Sequence, residues 1–527
     1  MPKDLTCSTY TFEKLREGNF LYVDKTEYIW KLLQPSSTLC FLARPRRFGK
    51  SLTLSTLKAV FQGKKELFKG LALYDKPYDW KVHPVIHISM SGRRIDTVEN
   101  LEDSFQKILL AQARESGIKL ECTDSVTMFH ALLDAMIAGG TQAVVLIDEY
   151  DKPLMDNVGA PDIQRYLSLL KAFYSVLKDR ERDIRFAFVT GVTKVCHVSL
   201  FSDLNNLRDI SMDAAFATML GYTQREFEEN FAEWIAETEP QQTLPHERFL
   251  GRIKTWYDGF RFHPKAESVY NPVSLASFFQ SGGEFRNYWF STGTPTMLIR
   301  MMRQQSFNLP LALEEPVQQN FFEAFEIDRI DAKTLMYQTG YLTIVSASQP
   351  PETPNDEWCP VFQLGFPNYE VRSSFNEHIL KSYADIALGS AFLVMERLAR
   401  AVRSGDVAGF VEELKRLFAG IPYDMRGKAE ADYQTIVYVV FMMLNSYVSG
   451  EHRTSNGRVD LVLTAAEWTY VVEFKINKTA REALKQIQNR DYARQFLGRG
   501  QRVVAVGINF DTRKRQISGW LHEEVAE

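Results

Sequence analysis

Two sets of residues in this chain have the types and spacing to act on phosphate. The first is the string RPRRFGKS, Arg44 to Ser51. In a G-x-x-x-x-G-K-[ST] loop, backbone N–H groups wrap the phosphates. The lysine reaches the β- and γ-phosphates, and the hydroxyl ligates Mg²⁺. Arg46, Arg47, Phe48, Gly49, Lys50, Ser51 and Leu52 are thus the expected contacts of ATP, with Ser51 on the metal. Arg44 stands where the first glycine belongs, so a strict pattern search passes over the loop. The competing reading is a basic strand–helix turn with a fortuitous GKS. A second string, VVLIDEYD from Val144 to Asp151, favours the loop. Asp148 emerges there at the C-terminal edge of an apolar strand, where α/β ligand sites lie, and suits Mg²⁺ held through water. Glu149 beside it suits orienting and deprotonating an attacking water, with a solvated acid as the bland alternative. Asp151 is open between catalysis and an ion pair in its loop. Thr190, at the end of IRFAFVT, is the expected γ-phosphate sensor, and Lys194 and Arg208 are weaker candidates for charge stabilisation. Arg46 and Arg47 either reach the phosphates or are surface cations.

The second set is Asp460, Glu473 and Lys475, the last two within VVEFK. Residues two apart on a strand point the same way, so Glu473 and Lys475 face one side and Phe474 the other. The AAEWT turn lets the strand carrying Asp460 pair with this one as a hairpin. Asp460 and Glu473 then share a divalent metal, which lowers the pKa of a bound water and neutralises charge on a scissile phosphate. Lys475 positions the water or stabilises the transition state. Oxygen ligands suit Mg²⁺, with Mn²⁺ an alternative. Glu430 is a candidate third carboxylate, with Glu451 competing, and Gln486 and Tyr492 are candidate supporting residues on the following helix. From Arg453 to Glu527 there are thirteen Lys and Arg against nine Asp and Glu, a local +4 in a chain of net charge −4. Positive charge is concentrated where a phosphate backbone would lie. An isolated E-x-K on a strand says little; the hairpin, the Asp and the basic helix give it weight.

The elements that must hold these residues follow from the apolar pattern. Leu39–Ala43, Val85–Met90, Ala143–Ile147 and Ile184–Thr190 read as strands, with helices between them, notably Val98–Ser116 and Ile163–Lys178. That alternation predicts a parallel α/β sheet. Near Thr223 a T-x-x-E capping box with Glu226 opens a mostly helical stretch. Residues 332–344 read as helix into strand. A polar loop, SQPPETPNDEWCP, and then VFQLGFPN follow, together suggesting a winged-helix-like element that serves DNA contact or packing. A helical pair over 384–418, a helix over 430–447, strands at 458–463 and 470–476, a capping box at Thr479 and Glu482 and a last strand at 502–508 give an α-β-β-α-β order. The expected domains are 1–222, 223–370 and 371–527, with a nuclease-like core over about 428–510.

Composition sets outer bounds. The chain has 527 residues, 45% hydrophobic and 24% charged, the balance of a globular protein. Its five cysteines lie far apart with no CxxC pair, which fits a reducing cytoplasm and argues against a zinc site. No apolar signal core or membrane-length run is present, so the expectation is a cytoplasmic protein without a membrane partner.

FLARPRRFGKSLTLSTL, VVLIDEYDKPL and TGVTKVCHVSLFSDLNNLRDIS resemble the bacterial AAA-ATPase-like family. GRVDLVL, YVVEFK and ALKQIQNRDYARQF are similar to the PD-(D/E)XK nuclease-superfamily domain that usually accompanies it. YDGFRF, VYNPVSL and YWFSTGTPTML look like that family's linking region. The resemblance spans nearly the whole chain. It implies a P-loop NTPase sheet, a restriction-endonuclease-like C-terminal domain, and arginine at position 44 as the family's own variant. It also implies that Asp460, Glu473 and Lys475 match the nuclease motif. From the residues alone, YDGFRF and YNPVSL read as packing and turn determinants, with nucleotide or interdomain contact as the alternative. The function expected is an ATPase whose nucleotide state gates or powers metal-dependent cleavage of nucleic acid, DNA in preference to RNA. A homo-oligomer is compatible with that. The alternative is an ATP-dependent regulatory switch or scaffold whose C-terminal domain binds nucleic acid or partners without cutting.

Overall fold

The computed structural model describes residues 3–7, 9–34, 38–195, 200–201, 206–292, 296–323, 327, 330–348, 360–384, 388–419, 435–436, 438–440, 442–444, 461–465, 467–489, 492–498, 500–511, 513–514 and 516–525. They form two compact units. One comprises residues 1–292 with 316–371, the other residues 293–315 with 372–527.

The first unit is built on five parallel strands, β1 (Leu39–Ala43), β2 (Val85–Ser89), β3 (Ala143–Asp148), β4 (Ile184–Gly191) and β5 (Arg208–Asp209), in the order β2-β3-β4-β1-β5. β1 and β3 are buried at every position, as continuous apolar runs covered on both faces should be. Four strands fall where the apolar runs put them. β5 carries no such signal, because both of its residues are exposed and charged. The helices Val98–Glu115 and Ile163–Asp179 also match expectation. The capping box at Thr223 and Glu226 is formed, and the helix it opens, Gln224–Asn230, stops at Phe231 before a second, Ala232–Thr238.

No compact unit ends at residue 222. Leu5 and Val23 share one buried cluster with Phe227, Phe231, Phe249, Tyr257 and Phe279, so most of the expected middle domain folds onto the N-terminal chain. The far end of that region is a three-stranded antiparallel sheet, β6 (Val317–Gln318), β7 (Thr343–Ser348) and β8 (Val361–Gly365), in the order β6-β8-β7. The helix Ala332–Thr339 precedes β7, as expected, and the polar segment at 349–359, the expected wing-like loop, lies outside the described residues.

The second unit holds a mixed sheet of β9 (Leu461–Ala465), β10 (Trp468–Ile476), β11 (Arg502–Asp511) and β12 (Gln516–Val525), in the order β12-β11-β10-β9. β9 and β10 form the expected antiparallel hairpin, and β10 runs parallel to β11. The helix Ala480–Asn489 makes the crossover, opened by the expected Thr479–Glu482 box. It lies so close to the sheet that a Cβ on Gly507 would stand 2.5 Å from the Ala480 carbonyl oxygen. β11 is not the last strand: β12 follows at the sheet edge. Its side chains are mostly solvent-facing, so it lacks the apolar run that marks the others. Leu388–Ser404 and Val407–Ala419 form the expected helical pair.

Candidate functional site

The first site is assembled where β1 and β3 end. Gly49 adopts φ 97°, a left-handed conformation that favours glycine, and caps the helix Lys50–Phe61. A Cβ added there would meet nothing within 4 Å, so the space over the helix start is open. The first-turn N–H groups of a helix have no intrahelical partner and favour an anion. Lys50 is buried, with Nζ donating to the carbonyl oxygens of Arg44 and Pro45 at 2.9 Å each. Burial pushes its pKa down, and Asp148, Asp151 and Glu149 oppose that shift.

Ser51 and Asp148 meet directly: Ser51 Oγ donates to Asp148 Oδ2 at 2.5 Å. Asp148 is only 4% exposed, and its Oδ1 is buried with no hydrogen-bond partner. A buried carboxylate oxygen left in that state is costly, and a cation would satisfy it. Mg²⁺ keeps several waters and commonly takes one or two carboxylates plus substrate phosphates. The pair Ser51 and Asp148 therefore fits Mg²⁺, although no group of three or more His, Cys, Asp or Glu residues arranged for a metal occurs among the described residues. Glu149, next in the chain, holds φ 56°, a region a non-glycine residue enters at a cost. Its Oε2 is also buried without a partner. Burial first, then the neighbouring Asp148, raises its pKa.

Three residues expected near the phosphates are committed elsewhere. Thr190 is wholly buried, and its hydroxyl donates to the Leu42 carbonyl at 2.7 Å, tying β4 to β1; the proton it needs as a sensor is in use. Lys194 pairs with Asp209 at 2.7 Å and its backbone N–H donates to Gln338. Arg208 pairs with Asp213. Asp151 proves structural: it accepts from the backbone N–H groups of Val192 and Thr193 and from the Thr193 hydroxyl. It clamps the turn after β4 by hydrogen bonds rather than by an ion pair. Arg46 is exposed, while Arg47 is half-buried at φ 67° and donates to the Tyr288 carbonyl at 2.8 Å.

Sequence reasoning missed what holds the loop from behind. Phe48 meets Phe260 and Phe262 edge-on, at 4.8 and 5.4 Å between ring centroids. Both belong to YDGFRF. The Arg44 guanidinium lies over Phe262 at 4.1 Å and donates to the carbonyls of Ala43, Ser211 and Phe216. Burial lowers its pKa to about 10. The packing reading of YDGFRF was right; that it packs the phosphate loop had no local signal.

The second site lies on β10. Glu473 is 2% exposed and Lys475 Nζ donates to its Oε1 at 2.9 Å, so the two face one side as the strand period requires. Asp460 and Glu430 lie outside the described residues. Gln486 is half-buried on the crossover helix, whereas Tyr492 is buried in the core cluster with Val471, Ile487 and Phe496. The helix ends at Asn489, so Tyr492 packs the sheet instead of lining a helix face.

Residues 7–201 match the family described as Predicted AAA-ATPase, and residues 428–520 match the PD-(D/E)XK nuclease superfamily. A relative from Azotobacter chroococcum mcd 1, named an uncharacterized protein in the vnfD 5′ region, is 35% identical over 534 residues, covering 99% of each chain. Two structures of the Aeropyrum pernix ORC2 protein align only slightly. The ADPNP–ADP form has a TM-score of 0.28 at 11% identity, over 84% of this chain and 88% of that one. The ADP form has 0.27 at 12%, over 61% and 79%. Among the described residues, no helix is long and apolar enough to cross a membrane.

Proposed function

We propose, from the premise that this chain belongs to the AAA-ATPase-like family and carries a PD-(D/E)XK nuclease-superfamily domain, that it is an ATPase whose nucleotide state governs metal-dependent cleavage of DNA. The observation that carries the nucleotide half is the contact between Ser51 and Asp148 beside a buried, partnerless carboxylate oxygen, one residue from Lys50. Lys50 exchanges its two loop carbonyls for the β- and γ-phosphates. The Gly49–Lys50 turn offers backbone N–H groups to the same oxygens. Bound Mg²⁺ supplies charge neutralisation on the phosphates, with Ser51 and Asp148 as its protein partners. Glu149 orients the attacking water and takes its proton.

The nuclease half is supported by the buried Glu473 with Lys475 on β10. Glu473, with Asp460, would hold Mg²⁺ or Mn²⁺, which would neutralise charge on the scissile phosphate. Lys475, which donates to Glu473 on the same face of β10, would turn to the scissile phosphate. The local positive balance of the C-terminal segment favours a polyanionic substrate. Purified protein is tested on linear, nicked and branched DNA and on RNA, with Mg²⁺ or Mn²⁺ and with or without ATP. Cutting of DNA that responds to ATP is expected. Nucleotide turnover with no cutting under any condition would instead favour the regulatory switch.

A further inference from the structure

Glu370 is a carboxylate with 0% exposure. Burying such a group is expensive unless it is bonded. Its Oε1 accepts from the N–H groups of Tyr288 and Trp289, at 2.6 and 2.8 Å, and its Oε2 from the Ser274 hydroxyl at 2.8 Å. Asn271, which caps the helix Pro272–Gln280 through the N–H groups of Val273 and Ser274, sets Ser274 in place. YNPVSL thus acquires a role beyond its turn.

The geometry continues to the phosphate loop. The Trp289 N–H and the Tyr288 carbonyl belong to one peptide group. Glu370 accepts from its nitrogen end, and its oxygen end accepts from Arg47. Hydrogen bonds at the two ends of one amide polarise each other, so the carboxylate strengthens the hold on the guanidinium. Trp289 also reaches the loop by packing: its ring meets Phe260 at 6.3 Å, and Phe260 meets Phe48. Arg47 stays at a left-handed φ under these restraints. The chain leaves the first unit after Thr292 and again after Val371. Tyr288 and Trp289 stand shortly before the first exit, and Glu370 immediately before the second.

We infer that Glu370 is a positioning residue for the phosphate loop. Through the peptide joining Tyr288 to Trp289 it fixes Arg47 in the conformation in which the loop receives nucleotide phosphates. Loop occupancy thereby reaches both points where the chain leaves the first unit. This rests on the nucleotide reading given above.

Hydrogen–deuterium exchange on the full chain, with and without AMP-PNP and Mg²⁺, tests it. Peptides spanning 46–52 should gain protection in the wild type and in Arg47→Ala. Peptides spanning 286–292 and 366–374 should change in the wild type and stay unchanged in Arg47→Ala. No protection at 46–52 removes the nucleotide reading and this inference with it. Protection there without a change at 286–292, or with the same change in Arg47→Ala, overturns the inference alone. As a second measurement, Glu370→Ala should weaken AMP-PNP binding about tenfold. Glu370→Gln should restore it, because its amide oxygen still accepts both N–H groups. Equal losses in Glu370→Ala and Glu370→Gln, or a loss that simply adds to that of Arg47→Ala, count against the relay.

Discussion

Arg44 fills the place a glycine takes in most phosphate loops, and carbonyl oxygens and an aromatic face hold its buried guanidinium. Restoring the glycine therefore should not improve the loop. Arg44→Gly leaves the Ser211 and Phe216 carbonyls without this donor and opens a cavity against Phe262. The expected loss is about 2 kcal/mol of stability, seen as a lower Tm and weaker AMP-PNP binding. An unchanged Tm would show that the arginine is dispensable behind the loop. Residue-scale roles were only partly legible beforehand. Gly49, Lys50, Ser51 and Asp148 were readable because a fixed local order brings them together, and β1 and β3 place them side by side. The partners of Thr190 and Lys194 were not legible, because sequence position does not say which way a hydroxyl or ammonium turns. One spans two strands and the other finds Asp209 on β5, a strand with no apolar signature.

Among elements, the segment from Tyr257 to Trp289 and the start of the helix Tyr369–Ala384 act together around one buried acid. Burial pushes the Glu370 carboxyl up to about 7; hydrogen bonds from Trp289, Ser274 and Tyr288 and the Arg47 charge oppose this shift. The sign of the linkage follows. Between about 4.5, the ordinary value, and about 7 the folded chain holds this proton while the unfolded chain has released it. Stability from this group is thus fully present at the acid end and falls as pH rises through that window, by about 3 kcal/mol in all. Comparing the wild type with Glu370→Gln by denaturant unfolding at pH 5, 6 and 7 isolates the group. The wild type should lose ground to the variant as pH rises. Parallel curves would place the carboxyl near its ordinary range. The strands Leu39–Ala43 and Ala143–Asp148 and the helices Val98–Glu115 and Ile163–Asp179 were foreseen almost to the residue, whereas the helices Pro272–Gln280 and Tyr369–Ala384 were not placed individually. Nor was the acid at position 370 foreseen, since nothing local marks a glutamate whose partners lie more than eighty positions away.

At the scale of the whole molecule, the two candidate sites stand in separate compact units, and each unit has its own buried core. Substitutions that share no partners act almost independently. Glu473→Ala removes the acid that Lys475 touches on β10 and leaves Lys50, Ser51, Asp148 and Glu149 as they were. Cutting should disappear while ATP turnover stays within about twofold of the wild type. The reverse substitution is not expected to be as clean. Lys50→Ala takes away the cation facing the loop carbonyls of Arg44 and Pro45 and should abolish turnover. Under the proposed control it should also remove the ATP response of cutting, leaving only a nucleotide-independent rate. The asymmetry is what separates control by nucleotide from simple fusion of two enzymes. If Lys50→Ala cuts as the wild type does at every ATP concentration, the two domains merely share a chain. If Glu473→Ala also loses ATP turnover, information flows from the nuclease unit to the phosphate loop, and the direction proposed for the control is wrong.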